Sequence, residues 1–196
     1  MTPAKEKLLL AALQEFAENG FDGLSVADLM SRLGLVKSAL YRHFKSKEDL
    51  FEGLMDYMED YYESHFFIGN GDRPIQTLED FKETSLARVS FSIDDPKVIC
   101  CRRILLREQF THPRCKELVN KYFYRFGVDF FAFLFEGMME RGLLQEGDPQ
   151  FLASSFFLPI SAFISYADRN PDEKEEVKER IASFIDSFLA QYGAKP

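Results

Sequence analysis

The stretch Gly34-Leu35-Val36-Lys37-Ser38-Ala39-Leu40-Tyr41-Arg42-His43-Phe44-Lys45-Ser46-Lys47 decides both fold and function. Leu40 and Phe44 stand four apart, so on a helix they share one face and turn inward. Lys37, Ser38, Tyr41 and Arg42 then face outward. Ser38 and Ala39 are small, which lets the start of the helix approach a groove closely. A helix over 37–44 built this way has the form of a recognition helix, which offers its N-terminal part to base edges. Tyr41 and His43 supply hydrogen bonds suited to phosphate oxygens. Ser25 and Lys47 open the helices on either side, where free backbone N–H groups favour anions.

The charge pattern supports this reading. From Ser25 to Lys47 the basic residues are Arg32, Lys37, Arg42, Lys45 and Lys47, and the acid is Asp28, whereas the whole chain of 196 residues carries −8. An acidic molecule repels phosphate as a whole, so any DNA contact must come from a local basic face. Upstream, a helix over 26–33 ends at Gly34, and the two short helices on either side of that glycine need neighbours to hold them. Leu9, Leu13 and Phe16 of a helix over 3–19 supply one apolar wall, and Leu29, Leu33, Leu40 and Phe44 supply the other. This predicts a three-helix unit containing a helix-turn-helix.

The run Phe16-x-x-x-Gly20-Phe21-x-x-Leu24-Ser25-Val26-x-x-Leu29, followed by Gly34 to Phe44, Ser46, Lys47 and Leu50, resembles the DNA-binding domain of the TetR (tetracycline repressor-like) family. The resemblance covers roughly residues 4–55. It implies DNA-binding roles for Ser25, Lys37, Tyr41, His43 and Lys47, with Ser38, Ala39 and Arg42 on the same reading face. It also implies a homodimer that binds double-stranded, near-palindromic operator DNA, and a small-molecule effector of unknown identity that releases a repressor. Three positions depart from the family pattern. Val36 stands where Ser is usual, Ser38 where Gly is usual, and Met30 where Ala is usual.

Elsewhere the hydrophobic period is helical, and strand-like alternation is absent. Thr2-Pro3, Asp95-Pro96, Asp148-Pro149 and Asn170-Pro171 read as helix starts, as do the capping-box patterns at Ser25/Asp28, Ser46/Asp49 and Thr77/Asp80. Gly20, Gly34, Gly142 and Gly193 read as stops. The expected fold is all-α with about nine helices, over 3–19, 26–33, 37–44, 47–66, 76–92, 96–111, 113–142, 149–168 and 172–192. Residues 1–46 form the DNA-binding domain in this reading, and 47–196 form the ligand-sensing and dimerisation domain. The clearest linker is 68–74, and Pro159 is expected to kink the helix that contains it.

The last two helices carry wide apolar stripes, and the resemblance assigns them to the dimer interface through Phe156, Ile160, Phe163, Ile181, Phe184 and Phe188. An effector pocket is expected around Arg103, Arg107, Phe110, Tyr122, Phe126 and Phe130, with the two arginines as an anion clamp. Cys100, Cys101 and Cys115 make a poor disulfide framework and suit a reducing cytoplasm as buried thiols. No ligand spacing for a metal and no phosphate loop appears, so no metal or cofactor is expected, and neither is a membrane partner. No nucleophile–base pair supports an enzyme. The rival readings are a Phe-rich helical adaptor for proteins and, behind it, a small-molecule-binding helical enzyme.

Overall fold

The structure is a computed structural model that describes residues 2–68 and 75–194. Of the expected linker, 69–74 lie outside the described residues. The described residues are helical throughout, apart from short turns and an isolated antiparallel bridge between Leu144 and Gly193. They divide into two compact units. The first contains residues 2–65 and 96–117, and the second contains 66–95 and 118–194. Residues 96–117 are recruited to the first unit from far along the chain, which the order of the sequence does not reveal.

In the first unit, α1 (Pro3–Asn19) starts at Thr2, whose hydroxyl accepts the Lys5 N–H, and buries Leu9, Ala12, Leu13 and Phe16. Helix α2 (Val26–Arg32) starts at Ser25 in a complete capping box with Asp28. It ends in a Schellman turn. The Gly34 N–H donates to the Ser31 carbonyl and the Leu35 N–H to the Met30 carbonyl. Gly34 has φ 65°, a left-handed conformation that a side chain disfavours. Helix α3 (Lys37–Tyr41) is three residues shorter than expected, because the chain tightens after Tyr41 and the His43 N–H bonds back to the Leu40 carbonyl. Helix α4 (Lys47–Ile68) buries Leu50, Phe51, Leu54 and Met55. Helix α6 (Pro96–Glu108) packs on α1. Helix α7 (Pro113–Asn120) ties Arg114 to Asp56 at 3.1 Å and Glu59 at 2.6 Å on α4.

In the second unit, α5 (Leu78–Asp94) opens with a complete Thr77/Asp80 capping box. Helix α8 (Phe126–Glu140) follows a π turn, Lys121–Arg125. The expected single helix over 113–142 is thus interrupted by a widened turn, which the hydrophobic period does not signal. Helix α8 ends in a second Schellman turn at Gly142. Helix α9 (Pro149–Arg169) packs along α8 and runs through Pro159. Its partner α10 (Lys174–Tyr192) begins after a 3-10 turn at Pro171–Glu173. The core is a mesh of rings. Phe156 lies 5.2 Å from Phe81, 4.9 Å from Phe131, 5.6 Å from Phe135 and 4.9 Å from Phe188, centroid to centroid. By length and composition α9 could cross a membrane, yet it lays Leu152, Ala153, Phe156, Ile160 and Ala167 into this core.

Candidate nucleic-acid interface

Helix α3 is held by a few buried anchors. Leu40 is fully buried and Phe44 nearly so, while Leu29 and Met30 of α2 lie in the same interior. Met30 fills the crossing of the two helices without exposure, as its flexible side chain allows. With the inward face fixed, Lys37, Ser38, Tyr41 and Arg42 are exposed, Tyr41 by 55 %. Ala39 and His43 are half-buried. The outward set therefore matches what the spacing of Leu40 and Phe44 requires.

Two expected anion contacts are engaged inside the protein. The Ser25 hydroxyl donates to Asp28 Oδ2 at 2.5 Å and accepts the Asp28 N–H at 3.1 Å. These bonds, the side-chain one first, hold the Asp28 carboxyl below its ordinary pKa. Lys47 Nζ donates to the carbonyls of Phe21 at 2.8 Å and Leu24 at 2.9 Å, and lies 4.1 Å from the centre of the Phe21 ring. Two of its three donors are thus spent on the turn that joins α1 to α2. The position of Lys47 in the chain does not show these neighbouring carbonyls.

The same turn is gripped from α6. Arg107 donates to the Glu18 carbonyl at 3.1 Å, and Glu108, which is buried, accepts the Phe21 N–H at 2.9 Å. Gly20 has φ 76°, a left-handed conformation that disfavours a side chain, and a Cβ there would stand 2.9 Å from Glu108 Oε1 and displace it. The rings of Phe16, Phe21, Phe51 and His112 close the cluster at centroid distances of 4.7–6.1 Å. The grip of Glu108 on Phe21 is invisible in the sequence, since the two residues are 87 positions apart. A basic, rigidly mounted short helix after a tight turn is what reading a duplex groove requires.

The Bacterial regulatory proteins, tetR family model matches residues 8–54, the same segment that builds this head. Nucleoid occlusion factor SlmA of Aliivibrio fischeri is 30 % identical over 164 residues, covering 78 % of this chain and 78 % of that protein. The chain belongs to the TetR family. It is a DNA-binding transcriptional regulator of that family. Solved TetR structures share the fold. A TetR transcriptional regulator from Chloroflexus aurantiacus superposes with a TM-score of 0.78 at 22 % identity, covering 98 % of this chain and 97 % of that one. SmeT in complex with triclosan superposes at 0.76 with 20 % identity, covering 99 % and 93 %.

Of the six placed in an effector pocket, Arg103, Arg107 and Phe110 belong to the first unit, and Tyr122, Phe126 and Phe130 belong to the second. Phe110 is 90 % exposed, and Arg103 is exposed as well. Arg107 is bound to the Glu18 carbonyl rather than paired with Arg103 as a clamp. In the second unit, Tyr122 packs on Phe126 at 5.4 Å, and Phe66 packs edge-on to Phe126 at 5.7 Å and Phe130 at 5.4 Å. The Arg88 guanidinium lies 5.3 Å from Phe66 and 5.0 Å from Phe130. The sequence reading missed Arg88. Its signal was the stripe Phe81, Ser85, Arg88, Ser92, which sets an arginine on the buried side of α5.

The residues expected at the dimer interface differ in burial. Phe156, Ile160, Ile181 and Phe188 are buried in the core of their own unit, while Phe163 and Phe184 remain half-buried at its edge. Beside them an open groove is lined by Pro159, Ala162, Phe163, Tyr166, Val177 and Arg180. Burial also decides the thiols. The Cys101 and Cys115 pKa values are pushed up to about 12, chiefly by burial, so the reactive thiolate is scarce at neutral pH.

Proposed function

We propose that this TetR-family protein is a homodimeric repressor, released from a near-palindromic operator by a small-molecule effector. The observation that carries the reading is α3, with Lys37, Ser38, Tyr41 and Arg42 outward on an anchored basic helix. Lys37, Ser38, Ala39, Tyr41, Arg42 and His43 are the proposed DNA contacts, and Ser25 and Lys47 shape the frame that holds them. In functional terms 1–46 is the reading head, and 47–196 senses and dimerises. The proposed dimer face is the outer side of α9 and α10, where Leu158 and Tyr166 are more than one-third exposed and Phe163 and Phe184 are only half covered. Burying several such side chains at about 1.5–3 kcal/mol each sustains a stable pair. Two α3 helices then meet the duplex about one turn apart, at about 34–36 Å.

Effector reception is assigned to the aromatic group Tyr122, Phe126 and Phe130 with Phe66. Binding there favours a conformer with a different spacing of the two heads, and α4 is the lever. Work is expected in the cytoplasm, without metal or cofactor. The test is a gel shift with the DNA upstream of its own gene, over a range of salt concentrations, beside sedimentation of the Ala162→Arg variant. A specific complex that weakens steeply with salt, and a variant that sediments as a monomer, support the reading. A wild-type monomer at all concentrations rejects the two-headed operator.

A second reading is favoured by the extent of the similarity to the Aliivibrio fischeri nucleoid occlusion factor, which runs well beyond the reading head. A factor acting on the nucleoid needs binding sites spread along the chromosome, and a local repressor needs them at a few promoters. Mapping bound sites genome-wide separates the two.

A further inference from the structure

The front edge of α3 carries an apolar pair that a soluble helix-turn-helix has no use for on its own. Val36 is 68 % exposed and Leu35 44 % exposed, adjacent in sequence, and Lys37 and Arg42 of the same segment are exposed too. Val36 also occupies the N-cap of α3 and makes no side-chain cap bond. The helix starts at Thr2, Ser25, Thr77 and Asp148 all place a side-chain oxygen on a free N–H, a stabilising contact that Val36 forgoes, as Glu173 does at the start of α10. A local rule broken without an internal gain marks a functional position.

The backbone here is rigid. The Leu35 N–H is bonded to Met30, the Ala39 N–H is bonded to the Val36 carbonyl at 2.9 Å, and Gly34 closes the turn. The two side chains are therefore presented in a fixed direction, at the end of α3 that a recognition helix points at base edges. The exposed Lys37 and Arg42 supply charge that matches phosphate. Within the major groove the apolar group is the C5-methyl of thymine.

We infer that Val36, with Leu35 beside it, is a specificity-determining residue that reads thymine methyl groups in the operator. The inference rests on the DNA-reading role of α3. Val36 gains from DNA the burial that it lacks in the free protein, and it selects thymine over cytosine, which has no methyl group. A serine cap at this position would steady α3 and lose that discrimination, so stability and thymine preference trade against each other at one residue.

The experiment uses the full chain. An operator is selected from a random duplex pool with the wild-type protein, and each thymine is replaced singly by uracil, which removes the methyl and keeps every hydrogen bond. Uracil at one or two thymines per half-site should weaken wild-type binding roughly fourfold. The Val36→Ser variant should show no uracil penalty at those positions, and its melting temperature should rise. Wild-type affinity within twofold on every uracil operator overturns the inference, and so does an unchanged uracil penalty in Val36→Ser. A selected site without thymine opposite α3 overturns it as well. Failure of the wild-type protein to select any sequence removes the reading role of α3, and this inference with it.

Discussion

The first unit adds polar clamps on a turn to its apolar core, whereas the core of the second is a mesh of interlocked rings. Around residues 18–24 the first unit spends Lys47, Arg107 and Glu108 on backbone groups. The second relies on Phe81, Phe131, Phe135, Phe156 and Phe188 in mutual contact, with surface ties such as Lys82 to Asp186 and Lys178 to Asp94. Directional bonds fix a small head to the accuracy that base reading needs. Rings fill space through edge-on and stacked contacts and need no hydrogen-bond partner.

The largest effect is expected where the ring mesh is densest. Phe156→Ala should destabilise the protein by about 3–5 kcal/mol in urea unfolding, since it opens a cavity among the rings of Phe81, Phe131, Phe135, Phe184 and Phe188. A loss near 1 kcal/mol would mean that the mesh collapses freely and the contrast between the units is weaker than drawn. Next, Lys47→Met should cost about 1.5–3 kcal/mol of stability by leaving two part-buried carbonyls without their charged donor. It should lower DNA affinity with little change in the salt slope. A slope reduced by about one would make Lys47 a phosphate contact instead.

The exposed face should behave in the opposite way. Tyr41→Phe should weaken DNA binding by about 0.5–1.5 kcal/mol at unchanged melting temperature, and Arg42→Ala should reduce the salt slope by about one. Affinity that stays constant in both variants removes them from the interface. The smallest effect concerns acid. The Ser25 hydroxyl, and then the Ser25 N–H, depress the Asp28 pKa in the folded state. The resulting stabilisation is complete above the unfolded value of about 3.9 and is lost as pH falls through the lower folded value. Asp28→Asn should therefore lose stability less steeply than wild type below about pH 4, and identical acid profiles would remove the capping box from the account.

Much of this was legible in the chain. Leu40 and Phe44 fixed which side of α3 faces in, and the proline and capping-box starts placed most helix beginnings to within two residues. These are short-range features, set by a helical repeat of 3.6 residues and by side chains bonding three positions away. The π turn at Lys121–Arg125 was not legible, since a one-residue widening leaves the apolar pattern on both sides intact. The partners of Arg107 and Lys47 and the exposure of Phe110 were also hidden, because each depends on what a distant element brings alongside.

The amino-acid order alone therefore determined an all-helical chain with a basic, outward-facing α3, because periodicity, caps and local charge act over a few residues. Only the tertiary structure decided that α6 folds with the reading head, that Lys47 clamps a turn, and that Phe156 and Ile181 are buried in the core of their own unit. An apolar stripe states that a helix face will be covered. Which surface covers it is set by the packing of elements far apart in sequence, where no local rule reaches.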